Sequence, residues 1–334
     1  MIDLDLKDRK ILYQLLLDSR QSLKSIGKKT GLSKESVYYR IKRLLKNKVI
    51  TNFRINIKWH KLGYSCMVTF YKFININPSI KNEILDFFVN NKNTMYVSLL
   101  EGSNDLQVDF WLGEPFEFES LIDEIQERFY KYLSFQSSKF YIRAEYYNFC
   151  FLLNETINTS EPFQWGWGEG IEKIDETDFK ILKELSKDSR ISTVELANKI
   201  NSTVSSVNYR IKKLIQKDII FSYTVNIDWS KIGYRWFHLQ IKLWDYSKKD
   251  KIVTHLRKNP NLIRYLKHLI IGVDLHFTFL LHNMEELRKI IEDITTKFPD
   301  SINDYSFYST YKVYKFDFMT PKLLKNRNPI YQEY

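Results

Sequence analysis

Ile11, Leu12, Leu15 and Leu16 recur at helical spacing near the start of the chain, and Phe179, Ile181, Leu182 and Leu185 repeat the pattern, so each stretch predicts a short amphipathic helix. A second helix opens at Ser22 or Ser192. In the later stretch Ser192-x-x-Glu195 reads as a capping box leading into Val194, Leu196, Ala197 and Ile200. Gly31 in one stretch and Asn201 in the other follow this helix, and these residue types best tolerate the positive φ of a tight helix-turn-helix corner. A third helix starts at Ser33 or Thr203 and buries Val37, Ile41 and Leu44, or Val207, Ile211 and Leu214. Its outer face is polar and basic. Phe53 to Ile57 and Tyr223 to Ile227 then alternate as strands.

Beyond each helical unit the pattern runs strand, helix, strand, strand, helix, strand. In the first copy the elements are 66–74, 79–91, 95–100, 106–112, 116–133 and 138–152. In the second they are 236–244, 248–258, 262–270, 275–281, 284–297 and 305–318. This order is the ferredoxin-like split βαβ, so the fold class is α+β: a tandem repeat of a winged helix-turn-helix and a ferredoxin-like βαββαβ domain. Helices cover one face of such a sheet. Its other face, with Phe70, Phe73, Phe110, Trp111, Trp236 and Trp244 as candidate sheet-to-sheet core, is expected to pack on the second copy's sheet, making a pseudo-dimer within one chain.

The duplication is direct. Ile11-Leu12 returns as Ile181-Leu182, Asp18-Ser-Arg20 as Asp188-Ser-Arg190, and Tyr39-Arg-Ile-Lys42 as Tyr209-Arg-Ile-Lys212, always 170 residues on. From Leu4 to Tyr64 the alignment needs no gap, and 25 of 61 positions are identical. The implied domains are a helix-turn-helix at 1–64, a ferredoxin-like domain at 65–153, a polar, Gly-containing linker at 154–173, a second helix-turn-helix at 174–234, a second ferredoxin-like domain at 235–318 and a basic tail at 319–334.

Charge sharpens this picture by its placement. The chain carries +11 overall, and residues 1–64 alone, with 16 Lys/Arg against 5 Asp/Glu, also carry +11; residues 173–234, with 11 against 8, carry +3. An acidic partner on the helical units is implied, and double-stranded DNA fits. Cys66 and Cys150 lack disulfide or metal spacing and read as core residues, while the six histidines are scattered and read as structural or surface groups. The start lacks the order of a signal peptide, and no apolar run approaches the ~20 residues of a membrane span, so a cytoplasmic protein is expected. Nucleotide-loop, nucleophile-elbow and paired-carboxylate signatures are missing, so no cofactor, metal or enzymatic activity is expected.

Taken together, Leu4-Asp5-x-x-Asp8-x-x-Ile11-Leu12, Asp18-Ser-Arg20, Gly31-Leu-Ser33, Val37-x-x-Arg40-Ile41-x-Arg43-Leu44, Val49-Ile50 and Leu62-Gly63 resemble the feast/famine (Lrp/AsnC) transcription regulators. Ile174-Asp175, Asp178, Ile181-Leu182, Arg190, Leu196-Ala197, Val207, Arg210-Ile211, Leu214, Ile219-Ile220 and Ile232-Gly233 repeat the resemblance, which covers nearly the whole chain twice. It implies dimerisation through the ferredoxin-like domain, often further homo-oligomeric assembly, and sensing of a small amino-acid-like effector at a Gly-x-x-Asp hairpin. That hairpin is Gly102-Ser-Asn-Asp105 here and the shorter Gly272-Val-Asp274 in the second half. The family's usual glycine before Val-Ile is Lys48 in one copy and Asp218 in the other.

The DNA-facing candidates are Lys34, Glu35, Tyr38, Tyr39, Arg40, Lys42 and Arg43, with Ser205, Asn208, Tyr209, Arg210, Lys212 and Lys213 in the second copy. For Arg40 and Arg210 a salt bridge supporting the fold competes with phosphate contact. The ligand candidates are Gly102, Asp105, Gly272 and Asp274, against the alternative that they are simply turn residues. Two other classes compete with the regulator. One is an architectural protein that coats DNA without choosing sites. The other is an enzyme, because sirohaem decarboxylases resemble the same two-domain unit, but they carry Ile-Arg-Arg-x-Gly where this chain has Ile50-Thr-Asn-Phe-Arg54 and Ile220-Phe-Ser-Tyr-Thr224.

Overall fold

The computed structural model describes residues 2–114, 116–155, 162–166, 170–269, 273–317 and 319. The first copy runs α1 (Leu6–Leu17), α2 (Leu23–Thr30), α3 (Lys34–Lys46), β1 (Ile50–Ile57), β2 (Ser65–Phe73), α4 (Pro78–Asn90), β3 (Thr94–Gly102), β4 (Leu106–Leu112), α5 (Phe116–Phe129) and β5 (Leu133–Tyr146). A short strand, β6 (Phe163–Gly166), leads to the second copy: α6 (Glu176–Lys187), α7 (Thr193–Lys199), α8 (Val204–Gln216), β7 (Ile220–Ile227), β8 (Arg235–Leu243), α9 (Lys249–Leu256), β9 (Leu262–Leu269), β10 (Leu275–Leu281), α10 (Met284–Lys297) and β11 (Ile302–Phe316).

Local chemistry sets the helix ends. Asp5, Ser22 and Ser33 cap α1, α2 and α3 by accepting the N–H of the residue three further on, and Asp175, Ser192 and Thr203 do so in the second copy. Gly31 and Asn201 adopt φ of 68° and 54°. At Ser192 only the hydroxyl half of the expected box forms the cap, because Glu195 turns outward to Lys199 at 3.2 Å. Val194, expected inside, is 59% exposed; Leu196 and Ala197 carry the packing.

The strands after the helical units exchange between the copies. β1 pairs antiparallel with β7, and Arg54 stands opposite Thr224, its own repeat equivalent, so a pseudo-twofold axis passes between them. Ile55 and Ile57 bury among Ile181, Leu182, Leu185, Val207, Ile211 and Leu214 of the second unit. Val225 and Trp229 bury with Ile11, Leu12, Leu15, Val37, Ile41 and Leu44 of the first. Each helix-turn-helix core is thereby completed by the other half.

The ferredoxin-like sheets run β5-β2-β4-β3 and β11-β8-β10-β9, and they join at both edges, β3 to β11 and β9 to β5, into one antiparallel ring. The long β5 and β11 make this possible: the first part of each lies in its own sheet and the last part crosses to the other. α4 and α5 cover the first sheet through Ile84, Phe88, Leu121 and Ile125, and α9 and α10 cover the second through Ile252, Leu256, Leu287 and Ile291. β5 starts five residues earlier than its pattern suggests, since α5 already ends at Phe129. Part of the expected linker is structured as well. β6 extends the sheet beside β5, and Phe163 stacks on Phe221 at 3.9 Å.

The sheet-to-sheet interior differs from the expected aromatic core. Phe70 and Trp111 do face it, but Phe73 and Phe110 pack toward the helices, and Trp244 is 72% exposed. Between the sheets instead lie His238, His268, His276, Asp109, Arg264, Lys139, Gln107 and Gln240. His268 Nε2 lies 2.6 Å from His276 Nδ1, and His276 Nε2 lies 3.3 Å from His238 Nδ1. Burial, with Arg264, Lys139 and His268 adding repulsion, pushes His238 well below the ordinary imidazole range; burial and the other two imidazoles do the same to His276. Burial and Lys139 push His268 down to about 3, and burial alone brings Lys139 down to about 8. Burial raises Asp109 to about 7, partly opposed by Gln107 and Arg264. Three of the six scattered histidines are thus one buried chain.

These shifts set the response to acid. Each imidazole has a native pKa below its unfolded value near 6.5, so the unfolded chain takes up protons first as pH falls, and stability is lost below that pH. Asp109 acts oppositely: its native form keeps a proton between its unfolded value of 3.8 and about 7, which favours the native state on acidification. Three groups outweigh one. The midpoint of thermal unfolding should therefore fall from pH 7.5 to pH 5; His276→Gln should flatten the dependence and Asp109→Asn should steepen it. Circular-dichroism melts across that range check this, and an unchanged slope in both variants would contradict it.

Candidate nucleic-acid interface

α3 and α8 are built alike. Val37, Ile41 and Leu44, or Val207, Ile211 and Leu214, face the helical core, which turns the intervening positions outward. Lys34, Glu35, Tyr38, Tyr39, Lys42 and Arg43 are exposed on α3, and Ser205, Asn208, Tyr209, Lys212 and Lys213 on α8. Tyr39 and Tyr209 are both 67% exposed. On α3 the rings of Tyr38 and Tyr39 meet edge to face at 5.6 Å, and Lys42 Nζ sits 5.9 Å over Tyr38. A basic helix carrying donors and flat rings has the shape and charge for a major groove.

Arg40 and Arg210 take the structural side of their two alternatives. Arg40 Nη1 donates to Asp5 and Asp8, each at 2.8 Å, and Arg210 Nη1 to Asp175 and Asp178 at 2.7 and 2.8 Å. Donating hydrogen bonds to these carboxylates raises both guanidinium pKa values further. The Asp8 N–H and Arg40 hold Asp5 below the usual carboxylate range, against some burial. At Asp175 burial opposes the shift, but the Asp178 N–H and Arg210 outweigh it. Each arginine therefore ties the third helix of its unit, α3 or α8, to the N-terminus of the unit's first helix. Arg43 also reaches Asp8, while half of its side chain stays exposed. The signal for these pairs was present in sequence, as Asp-x-x-Asp with an Arg 32 residues on, repeated at an offset of 170.

The effector candidates lie at the far ends of the sheets. Gly102 has φ of 132°, and a Cβ there would meet the Phe307 carbonyl at 3.0 Å, so this glycine lets β3 approach β11. Asp105 accepts the Phe73 N–H at 2.9 Å, and Asp274 accepts the Leu243 N–H at 2.7 Å; each closes the end of a central strand. Gly272 lies outside the described residues. A cleft of about 260 Å³ adjoins the second hairpin, lined by Tyr246, Lys249, Lys267, His268, Asp274 and His276. Among the described residues no cluster of three or more His, Cys, Asp or Glu side chains is arranged for a metal ion, and no helix is long and apolar enough to cross a membrane.

Comparison with known proteins fits this geometry. The AsnC-type helix-turn-helix domain matches residues 4–45, and the winged helix-turn-helix DNA-binding model matches residues 174–220. An uncharacterized HTH-type transcriptional regulator of Pyrococcus horikoshii is 33% identical over 129 residues, covering 36% of this chain and 79% of that protein. LrpC of Bacillus subtilis, an HTH-type transcriptional regulator, is 43% identical over 61 residues, 18% of this chain and 42% of LrpC. The chain spans 66% of the length of one related Pyrococcus abyssi regulator and 42% of one from Pyrococcus furiosus. The sirohaem decarboxylase NirDL, solved with an iron-uroporphyrin III analogue, superposes with a TM-score of 0.63 over 95% of both chains at 9% identity, a likeness of fold alone. With both helix-turn-helix units matched and a relative aligned over most of its length, the chain belongs to the Lrp/AsnC family of helix-turn-helix regulators.

Proposed function

We propose that this protein is a sequence-specific, DNA-binding transcription regulator in which one chain does the work of the family's dimer. The observation that carries the reading is the pair of capped, exposed recognition helices, α3 and α8, related by a pseudo-twofold axis through a shared ribbon. The protein acts in the cytoplasm and without a catalytic role, because the outward side chains suit groove contact rather than chemistry. A small amino-acid-like effector belongs to the same proposal, entering the cleft beside Asp274.

The two faces are not equivalent. Lys34, Glu35 and Tyr38 stand where the second copy has Val204, Ser205 and Asn208. Asn favours adenine and Lys favours guanine, whereas Val offers only apolar contact, so the two half-sites should differ. Selection of bound fragments from random DNA tests this: two unlike half-sites about one helical turn, or a multiple of it, apart are expected. No enriched motif would instead favour an architectural coat.

Charge makes a second prediction. The first unit should supply most of the salt dependence, and each phosphate contact contributes about 0.9 to the slope of log affinity against log salt. Lys42→Ala should weaken binding to all sequences and lower that slope by about 1. Asn208→Ala should leave the slope unchanged and relax base preference in one half-site. Binding titrations over a salt series with both variants measure this, and equal slopes for the wild type and Lys42→Ala would contradict it.

Thermal-shift screening of the common amino acids checks the effector. Stabilisation that disappears in Lys267→Ala is expected; no stabilisation by any of them at millimolar concentration would remove it from the proposal.

A further inference from the structure

The repeated Asp-Ser-Arg triplet is not part of either recognition face, yet its two copies meet on the pseudo-twofold axis. Ser19 and Ser189 are fully buried, and their hydroxyls are hydrogen-bonded to each other at 2.8 Å. Ser19 N–H donates to the Tyr223 carbonyl at 2.9 Å and Ser189 N–H to the Phe53 carbonyl at 3.0 Å, so each triplet is anchored to the other half's ribbon strand. Arg20 donates to the Ile191 carbonyl at 2.8 Å and lies 5.1 Å over the Tyr223 ring. Arg190 mirrors it, donating to the Gln21 carbonyl at 3.3 Å and lying 5.1 Å over Phe53. Asp18 and Asp188 accept the N–H of Arg20 and Arg190 at 2.8 Å, fixing each turn just ahead of the Ser22 and Ser192 caps.

We propose that Ser19 and Ser189 are spacing determinants, positioning residues that fix the separation and phase of the two recognition helices and therefore the number of base pairs between the half-sites. Buried, close-packed seams tied by reciprocal hydrogen bonds have little play. Each base pair added between half-sites moves one of them by about 3.4 Å and rotates it by about 35°, so a rigid seam tolerates few spacers. A Leu at Ser19 has no room against a hydroxyl at 2.8 Å and must wedge the two units apart.

This inference rests on the DNA-binding reading, and the experiment separates the two. The full-length protein is titrated with its selected site, with the spacer lengthened and shortened by one and two base pairs, and with DNA carrying a single half-site. The wild type should prefer one spacer by about tenfold or more over its neighbours. In Ser19→Leu the preference should fall below about threefold or move to another spacer, with single half-site affinity unchanged. If Ser19→Leu does not fold, the milder Ser19→Ala/Ser189→Ala pair, which deletes only the hydroxyl bond, should broaden the same profile. A wild type without spacer preference, or a folded variant keeping the wild-type profile, overturns the inference. A wild type that selects no sequence overturns the DNA-binding reading instead.

Discussion

Everything above the level of single helices depends on one constraint: β1 and β7 each need a partner strand, and each finds it in the other half. A lone strand presents a row of unpaired backbone groups, which must be paired or left to water. Pairing the two equivalents across a pseudo-twofold axis satisfies both and carries Ile55, Ile57, Val225 and Trp229 into the opposite helical cores. Neither helix-turn-helix is then a free-standing domain. The exchange also places the Asp-Ser-Arg turns against the ribbon, so the ribbon and the Ser19–Ser189 seam hold the two units in one relative pose.

The halves that exchange these strands are matched rather than interchangeable. Lys58, almost buried, pairs with Asp218, and Lys61 reaches the same carboxylate. At the repeat-equivalent positions the signs are reversed, with Asp228 for Lys58 and Lys48 for Asp218, and the Asp228 N–H donates to the carbonyl of Val49 beside Lys48. Pairing like with like would set Lys48 against Lys58 and Asp218 against Asp228, and an unmatched buried charge is costly. The sheet interior has the same character. Three imidazoles and Arg264 on the second sheet face Asp109, Gln107 and Lys139 on the first, an arrangement that two copies of one half could not reproduce. Duplication has thus been followed by divergence toward a fixed heterologous pair, consistent with exposed faces of α3 and α8 that differ in charge and in their side chains.

Lys48 and Asp218 show how one position serves two ends. Both adopt φ of 55°, the left-handed conformation for which the family usually keeps glycine, and both accept its strain. At Asp218 the compensation is visible in the ion pair to Lys58. Glycine would relieve the backbone but remove the charge that distinguishes the halves.

What the sequence determined by itself is the part governed by neighbours along the chain. The offset of 170, the caps at Ser22, Ser33 and Thr203, the left-handed corners at Gly31 and Asn201, and the buried faces of α3 and α8 all follow from spacing and residue type. The ferredoxin-like order was equally legible, because period-two and period-3.6 patterns alternate there. Tertiary structure alone decided which strand pairs with which half, because β1 and β7 carry no mark of their partner. It also decided that Val194 and Trp244 lie outside, and that His238, His268 and His276 converge. Alternation along a strand shows which residues share a face. Whether that face meets water, helices or another sheet depends on chain far away in sequence, and so do the pKa values and hydrogen bonds that the face acquires.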